Sequence, residues 1–171
     1  LRCDWSSDVC SSDLDNLDRI RDAVRFFNRS DCDHVLFVGD LVSPIAIPPL
    51  RKLNCKLTGC FGDNEGNKPG IHAGISIIGT IDDAPVTYLA DDGTRFVLIH
   101  SLDQLRGYAE PFNVAIYSHT HKPSTRRDDQ GRWFINPGEA SGWVFGKPTV
   151  ALFDTNTSQP TIVDLRDEPE T

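Results

Sequence analysis

Four short apolar runs in this chain each end on groups that can bind a cation or move a proton. LFVG leads into Asp40, and CFG leads into Asp63, Asn64 and Glu65. FVLI leads into His100, and VAIYS leads into His119 and His121. Carboxylates and imidazoles together are a mixed oxygen and nitrogen donor set, which suits Mn, Fe or Zn better than Ca. Each group alone carries little. Gly39-Asp40 is usually a turn after a strand, and a lone buried histidine is usually a satisfied core residue. The pair at 119 and 121 carries more, because residues at i and i+2 of an extended backbone point the same way. Even so, an isolated H-x-H binds metal in a minority of proteins. The weight lies in the combination. Ligands of open α/β sheets collect beyond the carboxyl ends of the strands, so four strands ending this way predict one shared edge.

The elements that must hold these groups can be read around them. Leu17, Ile20, Val24 and Phe27 recur at helical spacing, so about 15–29 is an amphipathic helix, with Asp15 or Asn16 as its cap. HVLFVGD over 34–40 and CKLTGCFGD over 55–63 are strands closed by glycine turns. SPIAIPPLRKL over 43–53 contains a short helix interrupted by Pro48 and Pro49. ISIIGTI and PVTYLADDGTRFVLIHS are strands, the second folded at Asp92-Gly93 into a hairpin. Residues 102–110 form a helix and 112–121 a strand. RWFINPG, PTVALFDT and PTIVDLR are three more strands. Strands alternate with helices in the first half and with hairpins in the second. That predicts an α/β fold with a mixed sheet, or two packed sheets with helices outside.

Composition narrows the class. The 171 residues suffice for one domain with a full core. Apolar and charged fractions of 39% and 25% are ordinary for a globular chain. There is no apolar run long enough for a membrane span. The net charge of −8, with 20 Asp against 5 Glu, argues against a nucleic-acid backbone or an anionic membrane as a general partner. A phosphate substrate stays open if bound metal supplies positive charge. The five cysteines form no C-x-x-C pair. Their odd number predicts reduced thiols and a cytoplasmic setting, and Cys32, Cys55 and Cys60 are read as small buried hydrophobes. His34 and His72 are read as structural or solvent-facing, the latter in a glycine-rich loop. Trp133, Trp143 and Phe145 are expected in the core, and Arg126 and Arg127 in a solvated turn.

The order of motifs resembles the calcineurin-like metallophosphoesterases, in particular their small single-domain bacterial and archaeal phosphodiesterases. The motifs are GD at 39–40, GDNE at 62–65, His100, SHTHKP at 118–123 and NPG at 136–138. The resemblance implies a four-layer αββα sandwich of two facing mixed sheets with outer helices. It implies two divalent ions, with Mn²⁺ expected, that hold phosphate and activate a hydroxide for attack on phosphorus. Asp40 would bridge both ions. Asp63 would hold the second with His100 and His119, or Asn64 would take its place after a local shift. His121 would hold the first. Catalytic work would fall to His119 and to Asn64, which stands where larger members carry a histidine and would orient phosphate.

The front of the chain departs from that pattern. The family opens with an apolar strand ending in Asp-x-His. Here the sequence reads S-S-D-L-D-N, so the first strand is expected to be missing or replaced, with Asp13 or Asp15 as substitute ligands. DWSSDVCSSDL, residues 4–14, resembles the translation of a sequencing-library adapter, so 1–14 is read as a non-native scar and 15–171 as a single domain. A natural acidic leader is the alternative. The expected activity is therefore hydrolysis of a small phosphodiester, impaired in this chain. A second reading is a non-catalytic interaction scaffold of the same fold, as in the retromer subunit. No nucleic-acid surface, membrane contact or oligomeric state is indicated.

Overall fold

The computed structural model describes residues 5–9 and 16–167. Asp13 and Asp15 lie outside the described residues, as does the tail from 168. The first sheet is built from β1 (Trp5–Val9), β2 (Cys32–Val38), β3 (Lys56–Cys60) and β4 (Gly79–Asp82), with two strands from the end of the chain. The second sheet is built from β5 (Val86–Leu89), β6 (Arg95–Leu98), β7 (Val114–Ile116), β8 (Ser124–Arg127) and β9 (Trp133–Asn136). β10 (Thr149–Asp154) and β11 (Gln159–Asp164) return to the first. The strand orders are β11-β10-β1-β2-β3-β4 and β5-β6-β7-β9-β8. Both sheets are mixed. β1 to β4 run parallel while β10 and β11 are antiparallel, and β6, β7 and β9 run parallel between antiparallel edges.

The polar leader contributes a central strand, β1, whose sequence is WSSDV. It pairs parallel with β2 and antiparallel with β10. Ladder bonds use backbone groups, so a run with little strand propensity can still satisfy both neighbours. On its neighbours β2 and β10, Val35, Val150 and Ala151 are fully buried.

The alternation of β2 explains the packing. Val35 and Phe37 face a core shared with the helices, whereas Leu36 and Val38 face a core shared with the second sheet. On the helical side, α1 (Leu17–Arg29), α2 (Ile47–Leu50) and α3 (Lys68–Ile75) bury Ile20, Phe27, Leu50, Ile71 and Ile75. Between the sheets, Leu36 and Val38 join Phe96, Leu98, Ile116, Ile135 and Phe153. On the far side of the second sheet, Val97, Ala115 and Phe134 are covered by Leu105, Tyr108 and Phe112. That cover is a 3-10 turn over Leu102–Leu105 and a loop, in place of the helix expected over 102–110.

Other local expectations are met in part and corrected in part. α1 begins at Leu17, with Asn16 as its cap accepting from the Arg19 N–H. Pro48 and Pro49 lie in the first turn of α2, where no intrahelical N–H is needed, so they start the helix and do not interrupt it. His72 lies in α3, which Asn67 caps and Pro69 opens. The Asn-Lys-Pro triplet is the start signal that the glycines beside it obscured. Arg126 and Arg127 belong to the exposed edge strand β8, where Arg126 lies 4.0 Å over the Phe134 ring and Arg127 5.4 Å over Trp133. His34 bonds Thr58 at 2.9 Å and stacks on Tyr88 at 4.1 Å, far from the strand ends that carry the site. None of the helices among the described residues is long and apolar enough to cross a membrane.

Candidate metal centre

The parallel strands bring their carboxyl ends to one edge. β2 ends into Gly39 and Asp40, and β3 into Gly62, Asp63 and Asn64. The two loops touch. A Cβ on Gly39 would stand 2.6 Å from the Gly62 Cα and 2.7 Å from the His100 Nδ1. Gly39 also has φ +96°, so this position needs glycine on both counts.

Glu65 locks the loops together. Its Oε1 accepts the Asp40 N–H at 2.8 Å and the Gly62 N–H at 2.7 Å. Asp40 Oδ1 in turn accepts from the Asp63 N–H, the Asn64 N–H and the Asn64 side-chain amide at 3.0–3.1 Å. Three donors on one carboxylate oxygen leave Oδ2 as the free end, and Oδ2 is buried with no hydrogen-bond partner. Asp40 itself sits at φ +65°, a conformation uncommon for a non-glycine residue and frequent at functional sites.

His100 and His119 come from the second sheet. The His100 Nδ1 meets the Val38 carbonyl at 2.9 Å, which directs Nε2 at the carboxylates. That Nε2 lies 3.3 Å from Asp63 Oδ2 and 3.7 Å from Asp40 Oδ2, buried and without a hydrogen bond. His119 Nδ1 lies 3.0 Å from the same Asp63 oxygen. Ligand atoms of Asp63, His100 and His119 all fall within 4.8 Å of one another. His100 and Asp40 form a buried floor, while Asp63 and His119 are more than half exposed and open to solvent.

A divalent cation fits this donor set. Two buried polar atoms, His100 Nε2 and Asp40 Oδ2, point into it unsatisfied, and a buried polar atom left unpaired costs about 1–3 kcal/mol. The adjacent Cys60 thiol is pushed up, first by burial and then by the Glu65 and Asp40 charges, so it stays protonated and supplies no thiolate.

The expected side-by-side histidine pair is not formed. β7 ends at Ile116, and His119 and His121 both have positive φ, at 63° and 58°. A tight turn, with Thr120 N–H donating to Ser118 O at 2.7 Å, separates the rings. Asn136 holds that turn by donating from its Nδ2 to Ser118 O and to the Thr120 hydroxyl oxygen, both at 3.0 Å. His119 goes to Asp63, whereas His121 Nδ1 lies 3.7 Å from Glu139 Oε2, buried and unbonded. Glu139 had no role in the sequence reading. It is fully buried and accepts from the Val144 and Phe145 N–H groups at 2.6–3.0 Å. Its place directly after NPG, at the end of β9, is the signal that marks it.

Asp63 and Asn64 divide their tasks in this geometry. Asp63 presents its carboxylate to both imidazoles, and Asn64 turns its amide to Asp40. Of the residues singled out in the sequence, Asp40, Asp63, Asn64, His100 and His119 are brought together. His121 stands apart beside Glu139.

Known proteins are similar to this chain in sequence and fold. The calcineurin-like phosphoesterase superfamily domain matches residues 6–158. A phosphodiesterase of Methanocaldococcus jannaschii is 29% identical over 157 residues, covering 88% of this chain and 93% of that protein. The structure of an archaeal phosphodiesterase superposes with a TM-score of 0.83 and 28% identity, over 92% of this chain and 99% of the other. A conserved Streptococcus pneumoniae protein described as a predicted phosphoesterase shares the fold, with a TM-score of 0.68 and 16% identity over 97% of this chain and 93% of its own. With a family match over nearly the whole described chain and a donor set that fits the divalent metals this family implies, the chain belongs to the calcineurin-like phosphoesterase superfamily.

Proposed function

We propose that the protein is a metal-dependent phosphodiesterase acting on a small phosphodiester. The observation that carries this reading is the convergence of Asp63, His100 and His119 above the buried, unsatisfied Oδ2 of Asp40. In this reading two divalent ions, Mn²⁺ by preference, supply the positive charge for phosphate oxygens and an activated water. Asp40, Asp63, His100 and His119 hold one ion. Asp40 and His121 contribute to the other, with Asp13 as a further ligand from the leader. The surrounding frame in this reading is a reduced form of the αββα sandwich, two facing mixed sheets with helices outside the first and a 3-10 turn and loop outside the second.

The chain's own groups divide the remaining work. Asn64 fixes Asp40 with one amide N–H and keeps a second for a phosphate oxygen. Exposed His119 marks the side from which substrate arrives. The acidic surface, with a charge of −8, favours a small substrate over a nucleic-acid duplex. S-S-D-L-D-N over 11–16 stands where the family carries Asp-x-His before the first helix, so in this reading the first ion is held more weakly and activity is reduced.

The test is hydrolysis of bis(p-nitrophenyl) phosphate with Mn²⁺. It is run on this chain and on one whose leader is rebuilt as a strand ending in Asp-x-His before Asp15. The expected result is turnover that rises on rebuilding and disappears with a chelator or with His119→Ala. A folded, rebuilt protein that binds Mn²⁺ and turns over nothing overturns the diesterase reading and favours the interaction scaffold.

A further inference from the structure

Three large apolar side chains stand in solvent on the loop that follows Glu139, the partner of His121. Trp143, Val144 and Phe145 are 64%, 52% and 49% exposed, against the expectation that Trp143 and Phe145 fill the core. Exposed aromatics on a loose loop would mean little. This loop is held from several sides. Glu139 accepts the Val144 and Phe145 N–H groups, and Ser141 O accepts from the Asn16 amide at 2.9 Å. Gly146 O accepts from Arg166 at 3.2 Å, and the loop closes on itself through Gly146 N–H to Gly142 O at 3.0 Å. Backbone anchored and rings presented outward is the construction of a stacking platform.

The platform is joined to the centre through two residues. Glu139, which holds the loop, lies 3.7 Å from His121 Nδ1. Lys122, the next residue after His121, places its ammonium 5.3 Å over the Phe145 ring. A cation is thus set between the imidazole end of the site and the exposed rings, in a chain whose net charge is −8. This order of groups matches one ligand chemistry: a phosphate at the centre with a negative non-bridging oxygen toward Lys122, and a planar ring on the aromatic loop. We propose that the 142–146 loop is a base-stacking subsite and that the substrate is a nucleotide diester. The inference rests on the phosphodiesterase reading for its phosphate and adds the identity of one ester arm. Stacking of a base on an aromatic side chain is worth about tenfold or more in affinity.

The experiment separates the two claims. Thymidylyl-thymidine and glycerophosphoglycerol both have alkoxide leaving groups, and only the first carries bases. With Mn²⁺, kcat/KM is expected to favour the dinucleotide. Trp143→Ser/Phe145→Ser should reduce that preference about tenfold while leaving the glycerol diester within twofold. A preference unchanged by the double substitution overturns the subsite and leaves the diesterase reading standing. A binding arm decides the subsite without turnover. Thymidine 5′-monophosphate should quench tryptophan fluorescence, glycerol 3-phosphate should not, and Trp143→Phe should abolish the quench. Absence of the quench, or its persistence in Trp143→Phe, overturns the inference whatever the activity. Absence of turnover on both diesters in the chain with the rebuilt leader, with the quench intact, overturns the diesterase reading alone.

Discussion

His100 Nδ1 lies 2.9 Å from the carbonyl oxygen of Val38. A carbonyl can only accept, so Nδ1 carries the proton and the neutral ring keeps its lone pair on Nε2. A backbone atom of one sheet therefore sets the tautomer of a ring carried by the other. The free nitrogen it selects is the one 3.3 Å from Asp63 and 3.7 Å from Asp40. His100→Ala is expected to lower Mn²⁺ affinity by about a hundredfold or more, since loss of a mere supporting partner costs about 10–100-fold. Isothermal titration of wild type and variant checks this, and an unchanged affinity would remove His100 from the ligand set.

Metal should also act on stability. An ion bound only by the folded chain, at about a hundred times its dissociation constant, adds about 2.7 kcal/mol. For a chain of this size that raises Tm by about 5–10 °C. Differential scanning calorimetry with Mn²⁺ should show the rise, and excess chelator should reverse it.

Glycine at position 39 is required by both conformation and space. Its φ is +96°, and a Cβ there would press on the Gly62 backbone and the His100 ring. Gly39→Ala is expected to cost about 1–3 kcal/mol from backbone strain, with the steric contacts adding to it. Urea denaturation measures the loss.

Glu65 is expected to be a structural clamp on the site. Glu65→Ala leaves the N–H groups of Asp40 and Gly62 without their acceptor, at about 1–3 kcal/mol for each that remains dry. Glu65→Gln keeps an acceptor oxygen and should cost less. Equal losses in the two variants, by thermal melting, would count against the clamp.

His34 should make the fold acid-sensitive. Burial pulls its pKa down from 6.5 to about 4, so the folded state holds the ring neutral where the unfolded chain would protonate it. The unfolded state then binds more protons between these values, and stability falls as pH drops from about 6.5 to about 4. Replacing the ring by His34→Gln should flatten that part of the stability profile, as followed by urea unfolding across the range.

Much of the molecule was legible in the residues alone. The strand ends carrying Asp40, Asp63, His100 and His119 were found from short apolar runs closed by polar groups, because strand burial is written locally as hydrophobic pattern. Helix α1 was found for the same reason. Where glycine and proline crowd the pattern, as at 67–75 and 47–50, the local signal pointed to loops and interruptions, while packing against Ile71 and Leu50 decided for helix. The shape of the turn at 118–121 was not legible either. An i, i+2 spacing orients two rings alike only if the backbone stays extended, and positive φ at both histidines sends them to different partners.

By itself, then, the sequence determined which chemistry the chain carries and which strands deliver it, since residue type and periodicity are local properties. Tertiary structure alone decided which of those groups meet. It set Asp63 to face both imidazoles while Asn64 turned to Asp40, and paired His121 with Glu139 from a strand end about twenty residues away in sequence. It also left Trp143 and Phe145 in solvent. Apolarity marks a side chain as able to be buried, but only the arrangement of the sheets and their loops decides whether anything is there to bury it against.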